Sequence, residues 1–296
     1  MSARRGQAAF VVILSGLLFG TTGTATVLAD TGAPATAIAA ARLLLGAVGL
    51  VALAVIQRDW SRLIALWKLP LTWAMGLGVA GYMAFFFMAV AQGGVAIASL
   101  VSISLSPWLT GTIARLLGSA WPGRIWFVAT TLAISGVLLL SSPSSGTSDQ
   151  RALGTVFAAV ASAAYALYTV LGSRLVAAHH HATDTLAASF AVGAALLLPM
   201  LATNASWLMH PRGLALTLWL GIAATTVSYS MFGYGLTHLP PGIVATLVLS
   251  EPVIATLLGV FVLDEPMPTR GWVGCGMIAI GLMLVARNEA KGRAHV

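Results

Sequence analysis

Between residues 8 and 286 the chain passes through ten apolar stretches, near 8–28, 35–56, 71–91, 95–116, 125–142, 154–173, 185–203, 214–236, 241–262 and 271–286. An α-helix needs about 17 to 25 apolar residues to cross a hydrocarbon layer about 30 Å thick. No water reaches backbone N–H and C=O groups inside that layer, so such stretches fold as helices that bond internally. Two pairs are almost continuous. Gln92-Gly93-Gly94 parts the third from the fourth, and His238-Leu239-Pro240-Pro241 parts the eighth from the ninth. Fused, either pair would overshoot the bilayer, so each junction marks a tight corner. The predicted fold is an all-α integral membrane bundle of ten transmembrane helices.

With 58% hydrophobic and only 8% charged residues, the chain lacks the roughly 25% charge with which soluble domains face water. Membrane lipid is the expected solvent. The net charge of +7 comes from basic residues spread thinly between the spans, which argues against nucleic acid as a partner. Their placement reports topology instead. With the N-terminus in the cytoplasm, eleven Lys and Arg (Arg4, Arg5, Arg58, Arg62, Lys68, Arg115, Arg124, Arg174, Arg287, Lys291 and Arg293) fall on the cytoplasmic side. Only three, Arg151, Arg212 and Arg270, fall opposite. This asymmetry supports an even helix count and a multi-pass protein of the cytoplasmic (inner) membrane with both termini inside. Arg4-Arg5 and the long run behind them read as an uncleaved first helix rather than a signal peptide. Cys275 is the single cysteine, so no intramolecular disulfide is possible and no metal or cofactor is expected.

The least regular connector, Ser141 to Ser148, separates five spans from five. At a shift of about 145 residues the Gln92 corner falls on the His238 corner, Pro107 on Pro252 and Gly136 on Gly281. We therefore expect a first five-helix repeat over 1–142, an extracytoplasmic linker over 143–153, and a second repeat with a short basic tail over 154–296. Because five is odd, the second repeat enters the membrane from the other side. The result is a 5+5 inverted-topology repeat, suited to alternating access.

Glu251 stands out near the centre of the ninth span, where a charged side chain costs about 2.5 to 3.5 kcal/mol. Either it faces a central cavity, to bind an amino group or a proton, or it is a protonated packing element beside Pro252, whose missing N–H frees backbone groups that need partners. Arg42 in the second span either snorkels toward the interface or holds a carboxylate through two parallel donors. Tyr82, Phe85, Phe86 and Phe87 have repeat counterparts in Tyr229, Phe232 and Tyr234, so each half carries an aromatic segment fit to wall an apolar site. Tyr165 and Tyr168 share one helix face. Ser99, Ser102 and Ser106 form a hydroxyl stripe that serves helix packing or lines a cavity. Trp108, after Pro107 at mid-depth, is a candidate wall or gate. Ser250, beside Glu251, completes the candidates. Gly16-x-x-x-Gly20 is a small-residue packing face for the first helix. Adjacent histidines at 179, 180 and 181 read as a solvated loop.

Leu249-Ser250-Glu251-Pro252, then Leu263-Asp264-Glu265-Pro266 and Gly271, Gly276 and Gly281, resemble the ninth and tenth helices of EamA-type members of the drug/metabolite transporter superfamily. Phe19-Gly20 and Arg42 match weaker positions of the same pattern. The acidic turn is absent from the first half, where Leu117-Gly118-Ser119-Ala120 stands in its place. The resemblance implies a carrier for a small-molecule substrate. Amino acids, aromatic ones included, are among the cargoes of the family, as are other metabolites, cationic drugs and sugar phosphates.

We expect a secondary carrier that exports or exchanges neutral or aromatic amino acids. A drug, organic-cation or sugar-phosphate transporter is the first alternative, and an intramembrane enzyme acting on lipid the remote one. Enzymes of that kind usually show His/Asp clusters at a membrane face, and here the eight acids are scattered. No phosphate-binding glycine loop with a following Lys-Ser or Lys-Thr is present, so a gradient must drive transport, with protons as the candidate coupling ion. The expected assembly is a monomer or a weak homodimer.

Overall fold

The computed structural model describes residues 2–57, 59–140, 148–202 and 205–291. Among them the regular elements are all helical: α1 (Ser2–Ala29), α2 (Ala35–Gln57), α3 (Trp60–Trp67), α4 (Pro70–Leu116), α5 (Arg124–Leu140), α6 (Ser148–Ala177), α7 (Ala182–Ala202), α8 (Pro211–Leu218), α9 (Ser228–His238), α10 (Pro241–Leu247), α11 (Ser250–Val262) and α12 (Thr269–Ala290). Helix α8 continues into α9 through Trp219–Val227, so Pro211–His238 forms one span. Nine stretches among the described residues are long and apolar enough to cross a membrane, and α5, of 17 residues, is the tenth.

Both corners lie where the sequence places them. Helix α4 holds two spans, Pro70–Gly94 and Ile97–Leu116, and the chain turns between them at Gly94 with φ 79° and ψ 165°. Glycine enters that conformation without steric cost. Beside the turn, a Cβ added to Gly154 would lie 2.6 Å from the Gly93 Cα, so the start of α6 rests directly on the corner backbone. At the second corner Leu239 is extended and Pro241 opens α10. Proline suits that first position because its missing N–H would have no helical partner there.

The halves interlock by exchange. Helix α1 packs on α9 and α11 of the second half, its counterpart α6 packs on α4 of the first, α2 meets α7 and α5 meets α12. Each half sends one serine to the first helix of the other: Ser102 Oγ donates to the Ala158 carbonyl at 3.1 Å, and Ser250 Oγ donates to the Ile13 carbonyl at 2.9 Å. The two acceptors are 145 residues apart and the two donors 148, so the bonds correspond in place without being exact repeat mates. Along the α5–α12 seam, Gly136 lies against Gly274 and Ile278, while Gly281 lies against Ala129 and Ala133. The same shift converts one set of contacts into the other, as an inverted repeat requires.

Helix α6 starts at Ser148, with Asp149 in its first turn, rather than at 154. Polar residues there lower the mean hydropathy without stopping the helix. The expected repeat boundary at 142/143 lies outside the described residues. The short helix α3 was not anticipated. Its eight residues bury Leu63 and Leu66 and expose Trp60, Ile64 and the polar face, a stripe that averages out in a membrane-length hydropathy window. Trp67 Nε1 pins α3 to the Ala188 carbonyl of α7 at 3.0 Å. Arg5 Nη1 lies 3.9 Å from Glu289 Oε2, which brings the ends of α1 and α12 to the same face.

Candidate functional site

The ninth span, Pro241–Val262, is broken in its middle. At Val248 and Leu249 ψ falls to −14° and −3°, and the Glu251 N–H donates to the Val248 carbonyl at 2.9 Å in a tightened turn. Helix α11 then restarts with Ser250, Glu251 and Pro252 as its first residues. Pro252 therefore sits in a first turn, where the missing N–H leaves no carbonyl orphaned. The same position puts Glu251 at a helix N-terminus, whose partial positive charge favours an anion. Glu251 is half-buried, and its carboxyl has no hydrogen-bond or ion-pair partner among the described residues.

Helix α1 allows this break through its glycines. A Cβ on Gly16 would collide with Ser250 Oγ, and one on Gly20 with Ile254 and the Glu251 carbonyl. The Gly16–Gly20 face thus packs α1 inside the bundle, against the turn that carries Glu251.

Arg42 is tied to the other half. Its Nε donates to Thr225 Oγ1 at 3.0 Å, one terminal nitrogen donates to the Ala224 carbonyl at 2.9 Å, and its Cζ lies 6.0 Å from the centre of the Phe19 ring. Both acceptors belong to Trp219–Val227, where the helix widens to a π-type turn and the Thr225 and Thr226 hydroxyls donate five residues back, to Leu220 and Gly221. Widened turns leave carbonyls off the helix axis and recur at functional sites. Arg42 and Glu251 lie within electrostatic reach of each other without forming an ion pair.

Aromatic side chains surround this pair of charges. Tyr82, Tyr165 and Tyr229 each lie within electrostatic reach of Glu251. The Tyr82 ring is 5.8 Å from Tyr165 and 6.0 Å from Phe86, Tyr165 is 5.0 Å from Tyr168, and Tyr229 is 4.9 Å from Phe19. The Tyr168 and Tyr229 hydroxyls pair at 3.2 Å. One aromatic chain thus runs from α4 through α6 to α9 and α1, with both repeats contributing.

The remaining candidates are placed apart from the charges or engaged in packing. Phe232 is fully buried and touches Tyr229 from behind. Ser102 and Ser250 donate to carbonyls of α6 and α1, and Ser106 pairs with Ser162. Ser99 is half-buried on the same stripe. Trp108 meets Trp126 edge-on at 5.4 Å and Phe127 at a tilt at 5.6 Å, in a cluster whose Trp126 Nε1 donates to Thr246 Oγ1. Phe85 stacks on Phe157. The sequence reading missed Thr225 and Ala224, since nothing in an apolar run signals a widened turn. Phe19 was noticed only as part of a motif.

The EamA-like transporter family matches this chain twice in tandem, over residues 6–142 and 152–287, one match to each five-helix half. The chain belongs to that family. This EamA-like protein is 34% identical over 281 residues to the uncharacterized transporter YwfM of Bacillus subtilis (strain 168), covering 95% of this chain and 94% of the relative. It is 29% identical over 271 residues to the threonine/homoserine exporter RhtA of Escherichia coli (strain K12), covering 88% and 85%. A solved crystal structure aligns with a TM-score of 0.80 at 21% identity, over 95% of this chain and 98% of that one, and shows the same fold. The chain is thus a multi-pass membrane transporter for a small molecule and not an enzyme.

Proposed function

We propose that the protein is a secondary carrier that exports or exchanges a neutral amino acid with an apolar or aromatic side chain. The solute binds at mid-depth between the halves, its ammonium at Glu251 and its carboxylate at the free edge of Arg42, with Tyr82, Phe86 and Tyr165 along its side chain. The observation that carries this reading is the Glu251 carboxyl, without a partner among the described residues, at the break in the ninth span and within electrostatic reach of Arg42 without an ion pair to it. Two opposite charges held apart suit a zwitterion, which satisfies both at once and supplies the compensation that an intramembrane charge requires. The relative RhtA, a threonine/homoserine exporter, supports amino-acid cargo and the outward direction.

Alternation follows from exchange of the two repeat conformations. The break at Val248–Leu249 has no counterpart beside Pro107, where α4 continues unbroken. The halves are unequal at the position where one carries Glu251 and the other Ser106. A proton taken up by the emptied Glu251 couples return of the carrier to the gradient. The bias of basic residues supports cytoplasmic termini and a location in the inner membrane.

Counterflow of labelled amino acids into proteoliposomes tests the proposal. Saturable exchange is expected, favouring phenylalanine or leucine over aspartate, with a pH dependence that Glu251→Gln abolishes along with most of the rate. An unchanged rate and pH profile in the Gln variant would sink the central role of Glu251.

A further inference from the structure

The ninth span is enclosed along one half only. Every residue from Pro241 to Ser250 is buried, and none from Glu251 to Leu258 is. Eight consecutive residues pass right round a helix, so α11 is open on its inner face as well as toward lipid. Helix α10 packs on α4 and α5, whereas α11 packs on α1 and α12 and makes no comparable contact with α4 among the described residues. The counterpart of α10 in the first repeat, residues 97–105, is less enclosed, with only Ala98, Ser102 and Ser104 buried. The fourth and ninth spans therefore meet tightly on the side of the termini and stand apart on the other.

Side chains account for this. A Cβ on Gly242 of α10 would lie 3.3 Å from the Gly111 Cα of α4, and one on Gly111 would collide with the Trp126 ring. Small residues let membrane helices approach this closely. Across the same junction Trp126 Nε1 of α5 donates to Thr246 Oγ1 at 2.9 Å and to the Gly242 carbonyl at 3.2 Å, and the Thr130 and Thr246 hydroxyls pair at 3.0 Å. All three side chains are buried. The repeat shift of 145 puts Thr256 and Ile97 in place of Gly111 and Gly242, and Gly271, Cys275 and Val101 in place of Trp126, Thr130 and Thr246. Neither Gly271 nor Val101 has a side-chain donor or acceptor, so closure of the far side cannot form the same bonds.

We infer that Trp126, Thr130 and Thr246 form a latch that closes the carrier on the side of its termini and makes the form open on the other side its resting state. The inference rests on the carrier function proposed above, with the termini in the cytoplasm. A solute entering from the cytoplasm must wait for α10 to leave α4 and α5, and the bonds broken there set how often it does.

Spin-label distances on the full-length protein in lipid nanodiscs test this without any cargo. Label pairs are placed at Leu116 with Thr237, across the closed side, and at Gln92 with Phe261, across the open side, in a Cys275→Ala background. The wild type is expected to give mainly the shorter distance of the first pair and the longer distance of the second. Trp126→Phe keeps a ring and Thr246→Val keeps the shape, and each should shift the ratio of the two forms toward opening at Leu116 and Thr237 by roughly five- to tenfold, the worth of one buried hydrogen bond. Thr246→Ser keeps the hydroxyl and should match the wild type. Unchanged distances in Trp126→Phe and Thr246→Val, or a shift in Thr246→Ser equal to that in Thr246→Val, overturn the latch, and a wild type already open at Leu116 and Thr237 overturns the resting state. Counterflow with Glu251→Gln remains the separate test of the solute site.

Discussion

Arg42 donates its Nε to Thr225 Oγ1 at 3.0 Å, joining the second span of one repeat to the third span of the other at the widened turn of that helix. The bond holds a guanidinium within a membrane span and, with the second bond to the Ala224 carbonyl, fixes its orientation. Thr225→Val keeps the shape and removes the acceptor. It is expected to destabilise the protein by about 1 to 3 kcal/mol, the cost of an unsatisfied buried donor, read as a lower melting temperature in detergent. Arg42→Lys is not expected to substitute, because an ammonium lacks the planar fork that reaches Thr225 and Ala224 together.

Glycines on α1 differ in what surrounds them. Gly20 meets Ile254 and the Glu251 carbonyl, whereas Gly23 has nothing within 4 Å. Gly20→Ala forces α11 outward and should cost about 1 to 3 kcal/mol, as overpacking does. Gly23→Ala should be neutral or stabilising by up to about 1 kcal/mol, since it only removes backbone freedom from a helix. Thermal unfolding of the two variants side by side checks the contrast, and equal effects would contradict the packing described for α1.

The hydroxyl pair of Tyr168 and Tyr229 bonds α6 to α9 at 3.2 Å inside the bundle. Either Tyr→Phe change should cost about 1 kcal/mol by stranding its partner, and the double variant little more than one single change. A double-mutant cycle by chemical denaturation would return a coupling near zero if the two hydroxyls act independently.

Asp59 caps α3, accepting from the Ser61 hydroxyl at 2.7 Å and the Ser61 N–H at 3.4 Å. Those bonds, the hydroxyl first, hold its carboxyl below the ordinary aspartate value. A lowered carboxylate stabilises the fold above its unfolded-state value and stops doing so as the pH falls through the folded-state value. Below about pH 4, and at any pH in Asp59→Ala, amide hydrogen exchange in the first turn of α3 should accelerate. Equal protection at pH 3 and pH 7 would remove the cap from the account.

Much of the architecture was legible because lipid imposes few choices. Apolar length, tight corners and the distribution of Lys and Arg depend on residue type and order alone, and they predicted ten spans and the inverted halves. Glu251 stood out as a candidate for the same reason, since a charge at mid-membrane is conspicuous whatever its neighbours. The roles of hydroxyls and rings were not. Ser102 and Ser250 bond to carbonyls of facing helices, and Phe232 is fully buried against Tyr229, because facing direction depends on which helix crosses which, and residue type does not encode that.

The sequence by itself determined that this chain spans a membrane ten times as two inverted halves, because hydrophobic length and charge bias are properties of the chain before it folds. Tertiary structure alone decided that the ninth span breaks just before Glu251 and that a widened turn captures Arg42. Each of these depends on contacts between residues far apart in the chain. A glycine on α1 makes room for the break, and a threonine 183 residues away holds the arginine.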